Sequence, residues 1–163
     1  MKEAAIEVGY RPGAIGAIAA LHARYYSLTH GFDQLFEAKI ARELGAFVCR
    51  HEPAHDRLWL VLRGDEVLGS LVIDGGDGGG VAHLRWFILD ACLRGQGLGR
   101  RLMAEAMAFC REGGFRSVYL WTLAGLEAAL HLYQDHGFAV VERHLGTQWG
   151  RPVEELRMER RFS

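Results

Sequence analysis

The stretch from residue 93 to residue 102 reads Leu-Arg-Gly-Gln-Gly-Leu-Gly-Arg-Arg-Leu, and it decides the fold. Its three glycines permit positive φ angles and close approach of the backbone to a ligand. The residues before it, Ala82–Asp90, are bulky and apolar like a strand, and those after it repeat apolar side chains at helical spacing. The first N–H groups of a helix lack partners within the helix and lie at the positive end of its dipole. The order of strand, glycine turn and helix therefore predicts a site for a phosphate or pyrophosphate.

Two common nucleotide-binding motifs do not fit this stretch. A dinucleotide fingerprint needs G-x-G-x-x-G and an acidic residue about 20 residues later, whereas the glycines here are spaced as G-x-G-x-G without that acidic residue. A Walker loop needs a lysine followed by serine or threonine, and Arg100 and Arg101 supply neither. Both classes of site are excluded.

Residues 94–99, Arg-Gly-Gln-Gly-Leu-Gly, match the acetyl-CoA loop pattern Gln/Arg-x-x-Gly-x-Gly/Ala of the GNAT superfamily of N-acetyltransferases. Residues 132–138, Leu-Tyr-Gln-Asp-His-Gly-Phe, match a second element of that superfamily, a helix whose tyrosine is followed by Gly-Phe. With two matches in the right order, the chain resembles this superfamily. Residues 120–122 and 148–150 are similar to the acetyltransferase half of regulator-fused members.

The resemblance implies a mixed α/β fold with a largely antiparallel sheet flanked by helices, and acetyl-CoA as co-substrate. It places the pantetheine arm along the backbone of Phe87, Ile88 and Leu89. It places the pyrophosphate on the loop formed by Arg94, Gly95, Gln96, Gly97, Leu98, Gly99 and Arg100. The asparagine that the superfamily often carries seven residues before its tyrosine is Leu126 here, so one contact to the cofactor is missing.

Two residues are candidates for proton transfer. Tyr133 matches the superfamily's general acid, although a tyrosine on the apolar face of a helix is usually a core residue with a hydrogen-bonded hydroxyl. His83 has a suitable unperturbed pKa of about 6.5 for a general base, and the alternative is an exposed strand residue. Arg85 pairs with either an acidic part of the substrate or a structural carboxylate. Five further histidines form no recognisable catalytic cluster and are expected at the surface or at helix caps: His22, His30, His131, His136 and His144.

The acceptor site is predicted at the break between the first two helices. Tyr25, Tyr26 and Phe32 gather there beside the carboxylates of Asp33 and Glu37, and aromatic rings and carboxylates attract a cationic amine. The resemblance adds Trp121 as a substrate-binding residue, which faces the backbone edge of residues 87–89 from the other strand. The alternative is that the tyrosines belong to the buried helix face and that Asp33 only caps the second helix.

The length of 163 residues favours a single domain, which the resemblance implies is an N-acetyltransferase domain over residues 1–163. Charged residues make up 24% and hydrophobic residues 50%, with a formal net charge of −1, so neither nucleic acid nor a membrane is an expected partner. Three cysteines without C-x-x-C spacing, and an N-terminus without an apolar signal core, predict reduced thiols in the cytoplasm. Cys49, His51 and His55 lack the paired spacing of a zinc site, so no metal is expected. A homodimer is compatible with these features.

Periodicity and breaks predict the order β-α-α-β-β-β-α-β-α-β-β. The predicted helices cover residues 14–28, 33–49, 98–112 and 126–136, and the predicted strands cover 5–10, 57–63, 67–74, 82–90, 116–122, 138–145 and 153–161. The glycine-rich run 75–80 is expected to be a flexible connection.

The expected function is direct transfer of an acetyl group from acetyl-CoA to a primary amine of a small molecule or peptide. An alternative is a catalytically idle module that binds acyl-CoA for sensing, which needs the glycine loop but not Tyr133. Another is an acyltransferase that uses a different acyl-CoA.

Overall fold

A computed structural model describes residues 2–163. Its helices are α1 (Ala14–His30), α2 (Gln34–Cys49), α3 (Leu98–Glu112) and α4 (Glu127–Asp135). Its strands are β1 (Ala5–Val8), β2 (Arg57–Arg63), β3 (Glu66–Asp74), β4 (Val81–Leu89), β5 (Ser117–Leu123), β6 (Ala139–Gly146) and β7 (Val153–Arg161). The predicted order of elements is confirmed, and a short 3-10 turn at Ala91–Leu93 is added to it. Within the described part of the chain, no helix has the length and apolar character needed to cross a bilayer.

The seven strands form one sheet in the order β1-β2-β3-β4-β5-β7-β6. Every neighbouring pair is antiparallel except β4 and β5, which run parallel because α3 connects them. The predicted fold class, a mixed and largely antiparallel sheet flanked by helices, is confirmed.

Helices cover the two faces of the sheet with separate apolar clusters. On one face, α3 and α4 pack through side chains such as Leu102, Met103 and Tyr133 against strand residues that include Trp59 and Leu120. On the other face, α1 and α2 pack through a second set that includes Ile18, Phe36, Leu44, Leu60 and Trp86. Alternating strand residues feed the two clusters, as the pleat of a strand requires.

Two local predictions need correction. The first strand ends at Val8 rather than at residue 10, because Gly9 has a φ of 106°. The glycine run is not uniformly flexible, since Gly75 is buried and its N–H donates to the Asp56 carboxylate at 2.8 Å. The same carboxylate contacts His55 at 3.2 Å in the turn after α2. No metal-ligating cluster is found between residues 2 and 163.

Candidate active site

Strands β4 and β5 separate along their length and leave an opening in the middle of the sheet. Only Val81–His83 pair with Ser117–Tyr119, although both strands continue beyond this point. A cavity of about 130 Å³ lies at the opening. Because β5 no longer covers it, one backbone edge of the second half of β4, which holds Phe87, Ile88 and Leu89, is free to pair with a ligand.

A bulge directs β4 away from β5. The register with β3 shifts between Ser70, which pairs with Ile88, and Val72, which pairs with Arg85. Trp86 lies in the bulge with a φ of 46°, the single positive φ of a residue other than glycine in the described chain. The Ser70 hydroxyl donates to the Trp86 carbonyl at 2.6 Å. A left-handed tryptophan costs about 1–2 kcal/mol, so this hydrogen bond and the packing of the ring hold a strained conformation beside the opening.

The glycine loop lies at the end of β4 and leads into α3. Gly95 and Gly97 have φ angles of 77° and 74°, and Gly97 is the N-cap of α3. None of the six backbone N–H groups from Gly95 to Arg100 donates to another residue that the structure describes, and the first bond of α3 runs from the Arg101 N–H to the Gly97 carbonyl. Six unpaired donors at the positive end of a helix dipole fit an anion of the size of a pyrophosphate.

Tyr133 lies in α4 with its ring buried between Phe87 and Phe138, whose centroids are 6.2 and 6.0 Å from its own. Tyr133 lines the cavity, and its hydroxyl has no hydrogen-bond partner within residues 2–163. Burial raises the pKa of this phenol above its ordinary value, and the nearby Tyr26 hydroxyl adds to the increase. A neutral phenol with a free O–H is suited to give a proton rather than to accept one.

His83 also lines the cavity, where its ring packs against an aromatic side chain and lies near Arg85. Its ring stacks on Tyr119 with centroids 4.3 Å apart. Burial, followed by the positive charge of Arg85, lowers the pKa of His83 to about 3. The pKa of His83 therefore lies below the ordinary histidine value for which it was considered as a general base.

Comparison with known proteins agrees with this geometry. A profile of the acetyltransferase (GNAT) family matches residues 17–138. The chain belongs to the GNAT family. The match contains the opening between β4 and β5, the glycine loop and Tyr133.

Two relatives match over parts of their length. The uncharacterized N-acetyltransferase YjgM of Escherichia coli K12 is 35% identical over 105 residues, which cover 58% of this chain and 58% of that protein. The mycothiol acetyltransferase of Cellulomonas flavigena is 38% identical over 71 residues, or 44% of this chain and 20% of that protein. The chain thus spans less than two thirds of the length of either relative.

Solved structures share the whole GNAT fold. A ribosomal-protein-alanine N-acetyltransferase from Brucella melitensis superposes with a TM-score of 0.72 at 19% identity, covering 96% of this chain and 99% of that one. A GNAT acetyltransferase from Streptococcus pneumoniae gives 0.71 at 20% identity, with 99% and 100% covered. A Bacillus anthracis protein, solved in complex with acetyl coenzyme A, gives 0.58 at 21% identity, with 69% and 65% covered.

On the acceptor side of this GNAT fold, the structure brings some of the predicted residues together and leaves others out. Tyr26, Phe32 and Trp121 line the cavity, whereas Tyr25 and Asp33 do not. Asp33 is exposed and caps α2, where its carboxylate accepts a hydrogen bond from the Leu35 N–H at 3.0 Å. Glu37 is also exposed and outside the cavity. Of the two alternatives for Asp33, its contacts in the structure are those of a helix cap.

The cavity is lined instead by the carboxylate of Glu43, which lies in α2 six residues after the predicted Glu37. Its two oxygens contact Lys39 at 2.6 Å and Arg85 at 3.2 Å. Arg85 also contacts Asp74 at 3.2 Å, so the structural alternative for Arg85 is realised. Gln148 and Trp149 complete the wall from the segment between β6 and β7. From sequence, residues 148–150 were noted only for their similarity to regulator-fused members and had no assigned place in the site.

The structure also shows the surroundings of three further residues from the sequence analysis. Arg100, in the first turn of α3, contacts Asp135 of α4 at 2.9 Å and so connects the glycine loop to the helix of Tyr133. Arg94 is exposed, and no hydrogen bond from its side chain to residues 2–163 is found. Leu126, which replaces the family's frequent asparagine, is the N-cap of α4 and offers no side-chain cap.

His22 is the site residue that sequence analysis placed wrongly. It was expected at the surface or at a helix cap, yet it is 5% exposed in the middle of α1 and lines the cavity. Its neighbours at helical spacing, Ile18 and Tyr26, belong to the buried face of α1, and this spacing was the available signal.

Proposed function

We propose that this protein is an acetyl-CoA-dependent N-acetyltransferase that moves the acetyl group directly to a primary amine of a small molecule or peptide. The observation that supports this most strongly is the opening between β4 and β5, with six unpaired N–H groups at one end and the Tyr133 hydroxyl in its wall. We also propose a cytoplasmic location, which suits three cysteines that are all free thiols.

The donor would be held mainly by backbone. The N–H groups of Gln96, Gly97, Leu98, Gly99 and Arg100 are the donors for the pyrophosphate, and the Arg94 side chain adds positive charge next to them. The free edge of β4 at Phe87–Leu89 is the pairing partner for the amides of the pantetheine arm. Because backbone donors dominate, the missing asparagine at Leu126 leaves most of these contacts in place.

The reaction needs positioning and two proton movements. The amine nitrogen attacks the thioester carbonyl, a C–N bond forms, and the C–S bond breaks. The amine loses one proton, and the departing thiolate takes one from the Tyr133 hydroxyl, which would lie at the wall of the opening. Tyr26, Phe32 and Trp121 form the apolar part of the acceptor wall.

Binding of acetyl-CoA is tested by Gly97→Val and a matched control. Gly97 and Gly114 lie at the two ends of α3, have φ angles of 74° and 76°, and have no heavy atom within 4 Å of an added Cβ. A valine at either position carries the same backbone strain, about 1–2 kcal/mol. We expect calorimetry to show loss of acetyl-CoA binding in Gly97→Val only, because only that Cβ blocks the approach of a pyrophosphate. Equal affinity in the two folded variants would contradict the proposed loop.

Transfer itself is tested by a screen of amines and peptides with thiol release as the readout. Release of coenzyme A that depends on an amine supports the proposal. Tight binding of acetyl-CoA without release by any amine would indicate a binding module instead. Release from another acyl-CoA in preference to acetyl-CoA would change the donor and keep the reaction class.

A further inference from the structure

A buried histidine of α1 faces the cavity on its acceptor side. His22 is 5% exposed, and its ring is nearly parallel to that of Tyr26 one turn later, with centroids 6.4 Å apart and an angle of 11° between the planes. It lines the same cavity as Trp86, Phe87 and Tyr133, so it lies on the side of α1 that looks at the bulge of β4.

The hydrogen bond of His22 fixes its tautomer. Nδ1 lies 2.8 Å from the carbonyl oxygen of Ile18, one turn earlier in α1. A carbonyl oxygen can only accept, so Nδ1 carries the hydrogen and Nε2 of the neutral ring carries a lone pair. Nε2 has no hydrogen-bond partner among residues 2–163. It is not one of the fully buried polar atoms that lack a partner, so this unpaired acceptor is open to the cavity, where a donor on a bound ligand can reach it.

The surroundings favour His22 over His83 as a proton acceptor. Burial opposes the imidazolium of His83, the charge of Arg85 adds to this effect, and the charge of Asp74 offsets part of it. No comparable cation opposes His22, and burial alone opposes its charge and lowers its pKa to about 4. The residues that line the same cavity as His22 include Tyr26, Tyr133 and the ion-paired Lys39, Glu43 and Arg85, and none of these cations contributes to the shift of its pKa.

We propose that His22 is a catalytic residue whose Nε2 accepts a proton from the acceptor amine when the amine attacks the thioester. The inference rests on the proposed function. The N–H bond of the attacking amine breaks and its proton moves to Nε2, while the O–H bond of Tyr133 breaks and its proton moves to the thiolate. One proton then returns from the imidazolium to the Tyr133 phenolate, which restores both groups. No further reactant is needed.

The first test is His22→Asn with His136→Asn as the matched control. An asparagine amide can still donate to the carbonyl of Ile18, but it has no base at the position of Nε2. His136 makes the same bond, from Nδ1 to the Leu132 carbonyl at 3.0 Å, and does not line the cavity. We expect His22→Asn to lower kcat with the amine found in the screen by about 10²- to 10⁴-fold at unchanged acetyl-CoA affinity, and His136→Asn to keep the parental rate. A folded His22→Asn variant with parental kcat would overturn the proposal.

A second test separates basicity from cavity filling. Imidazole, 4-methylimidazole and 1,2,4-triazole have similar shapes and different basicity, and each can enter the space left in His22→Ala. Restored rates that rise with the basicity of the added ring support proton transfer, because a filler would act equally well at any basicity. Rates that are independent of basicity assign His22 a packing role and overturn the proposal.

A third measurement needs neither a variant nor a substrate. ¹⁵N NMR of the histidine-labelled parent protein reports which ring nitrogen carries the hydrogen. An unprotonated Nε2 at neutral pH supports the proposal, and a protonated Nε2 overturns it. A parent protein that acetylates no amine would contradict the proposed function, and this spectrum still decides whether His22 presents a base to the cavity.

Discussion

The ring of Tyr133 contributes to stability, and its hydroxyl is the proposed proton donor, so the two roles can be tested separately. The ring packs in the cluster under α3 and α4, whereas the hydroxyl has no partner in the described chain and faces the cavity. Replacement by phenylalanine therefore keeps the packing and removes the acid. We expect Tyr133→Phe to change the free energy of unfolding by no more than about 1 kcal/mol and to lower kcat by about 10²- to 10⁴-fold at unchanged acetyl-CoA affinity. Urea unfolding and steady-state kinetics measure the two effects, with exposed Tyr10→Phe as the control. Parental turnover in Tyr133→Phe would make Tyr133 a core residue only.

Asp33 and Glu43 test where the acceptor meets a carboxylate. Asp33→Ala removes an N-cap and should destabilise the protein by about 0.5–2 kcal/mol without changing KM for the amine. Glu43→Gln leaves Lys39 and Arg85 without their shared partner and makes the cavity wall more positive by one charge, so KM for a cationic amine should rise. Steady-state kinetics on both variants gives the comparison. The opposite pattern, a KM effect in Asp33→Ala alone, would restore the placement of the acceptor at the break between α1 and α2.

Residues are predictable from sequence when a motif or a local conformation marks them. The glycines at 95 and 97 are needed for their positive φ angles, and this need is visible in the spacing. His22 has no such mark, because its importance comes from a cavity that α1, β4 and α4 form together. Trp86 is similar, since its positive φ is imposed by the register of β4 on β3 and contradicts the ordinary preference of a tryptophan.

The segment between β6 and β7 depends on one buried carboxylate. Glu155 is 1% exposed and accepts hydrogen bonds from His144 at 3.1 Å, from the Gln148 N–H at 3.1 Å and from the Gln148 side chain at 2.6 Å. Gln148 and Trp149 belong to the cavity wall, so Glu155 positions part of the acceptor site from outside it. We expect Glu155→Ala to raise KM for the amine about tenfold, equivalent to about 1.4 kcal/mol, and to leave acetyl-CoA affinity unchanged.

Amide hydrogen exchange over residues 147–152 reports the same change directly. Loss of three hydrogen bonds should speed exchange in this segment of Glu155→Ala and nowhere in α3. Glu154→Ala is the control, because the neighbouring side chain is exposed and makes one contact, at 3.4 Å, with Arg143. If both variants exchange and turn over alike, Glu155 does not hold the wall.

The helices and strands were largely predictable because the pattern of apolar residues along each segment is typical of its secondary structure. Helices α1 and α2 show apolar residues at helical spacing, and β2 and β3 are apolar runs around a short turn. The separation of β4 from β5 was not predictable from such patterns, since a strand sequence does not state where pairing stops. It was reached only through the resemblance to the GNAT superfamily, which links the glycine loop to this opening.

At the scale of the whole molecule, ion pairs join α2 to the centre of the sheet. Lys39 and Glu43 of α2, Arg85 of β4 and Asp74 of β3 form a chain of contacts that continues to Arg50 after α2. Burial opposes the charge of Asp74, but the hydrogen bonds from Arg50 and Arg85 outweigh it and hold the pKa of Asp74 below its ordinary value. This stabilisation is present above the unfolded pKa and is lost as the pH falls through the folded pKa, so it belongs to strongly acidic conditions.

We expect burial of His22 to cause a loss of stability that begins at a higher pH than the loss from Asp74. Its pKa is about 4 in the folded protein and about 6.5 when exposed, so between these values the unfolded chain binds a proton that the folded protein does not. Stability therefore falls as the pH is lowered from about 6.5 towards 4, by up to about 1.4 kcal/mol per pH unit from this residue. His83, whose pKa is lowered to about 3, acts in the same direction. We expect urea unfolding at a series of pH values to show a shallower decline for His22→Asn than for the parent protein and for His136→Asn. Parallel declines in all three would show that burial does not lower the pKa of His22 in the folded protein.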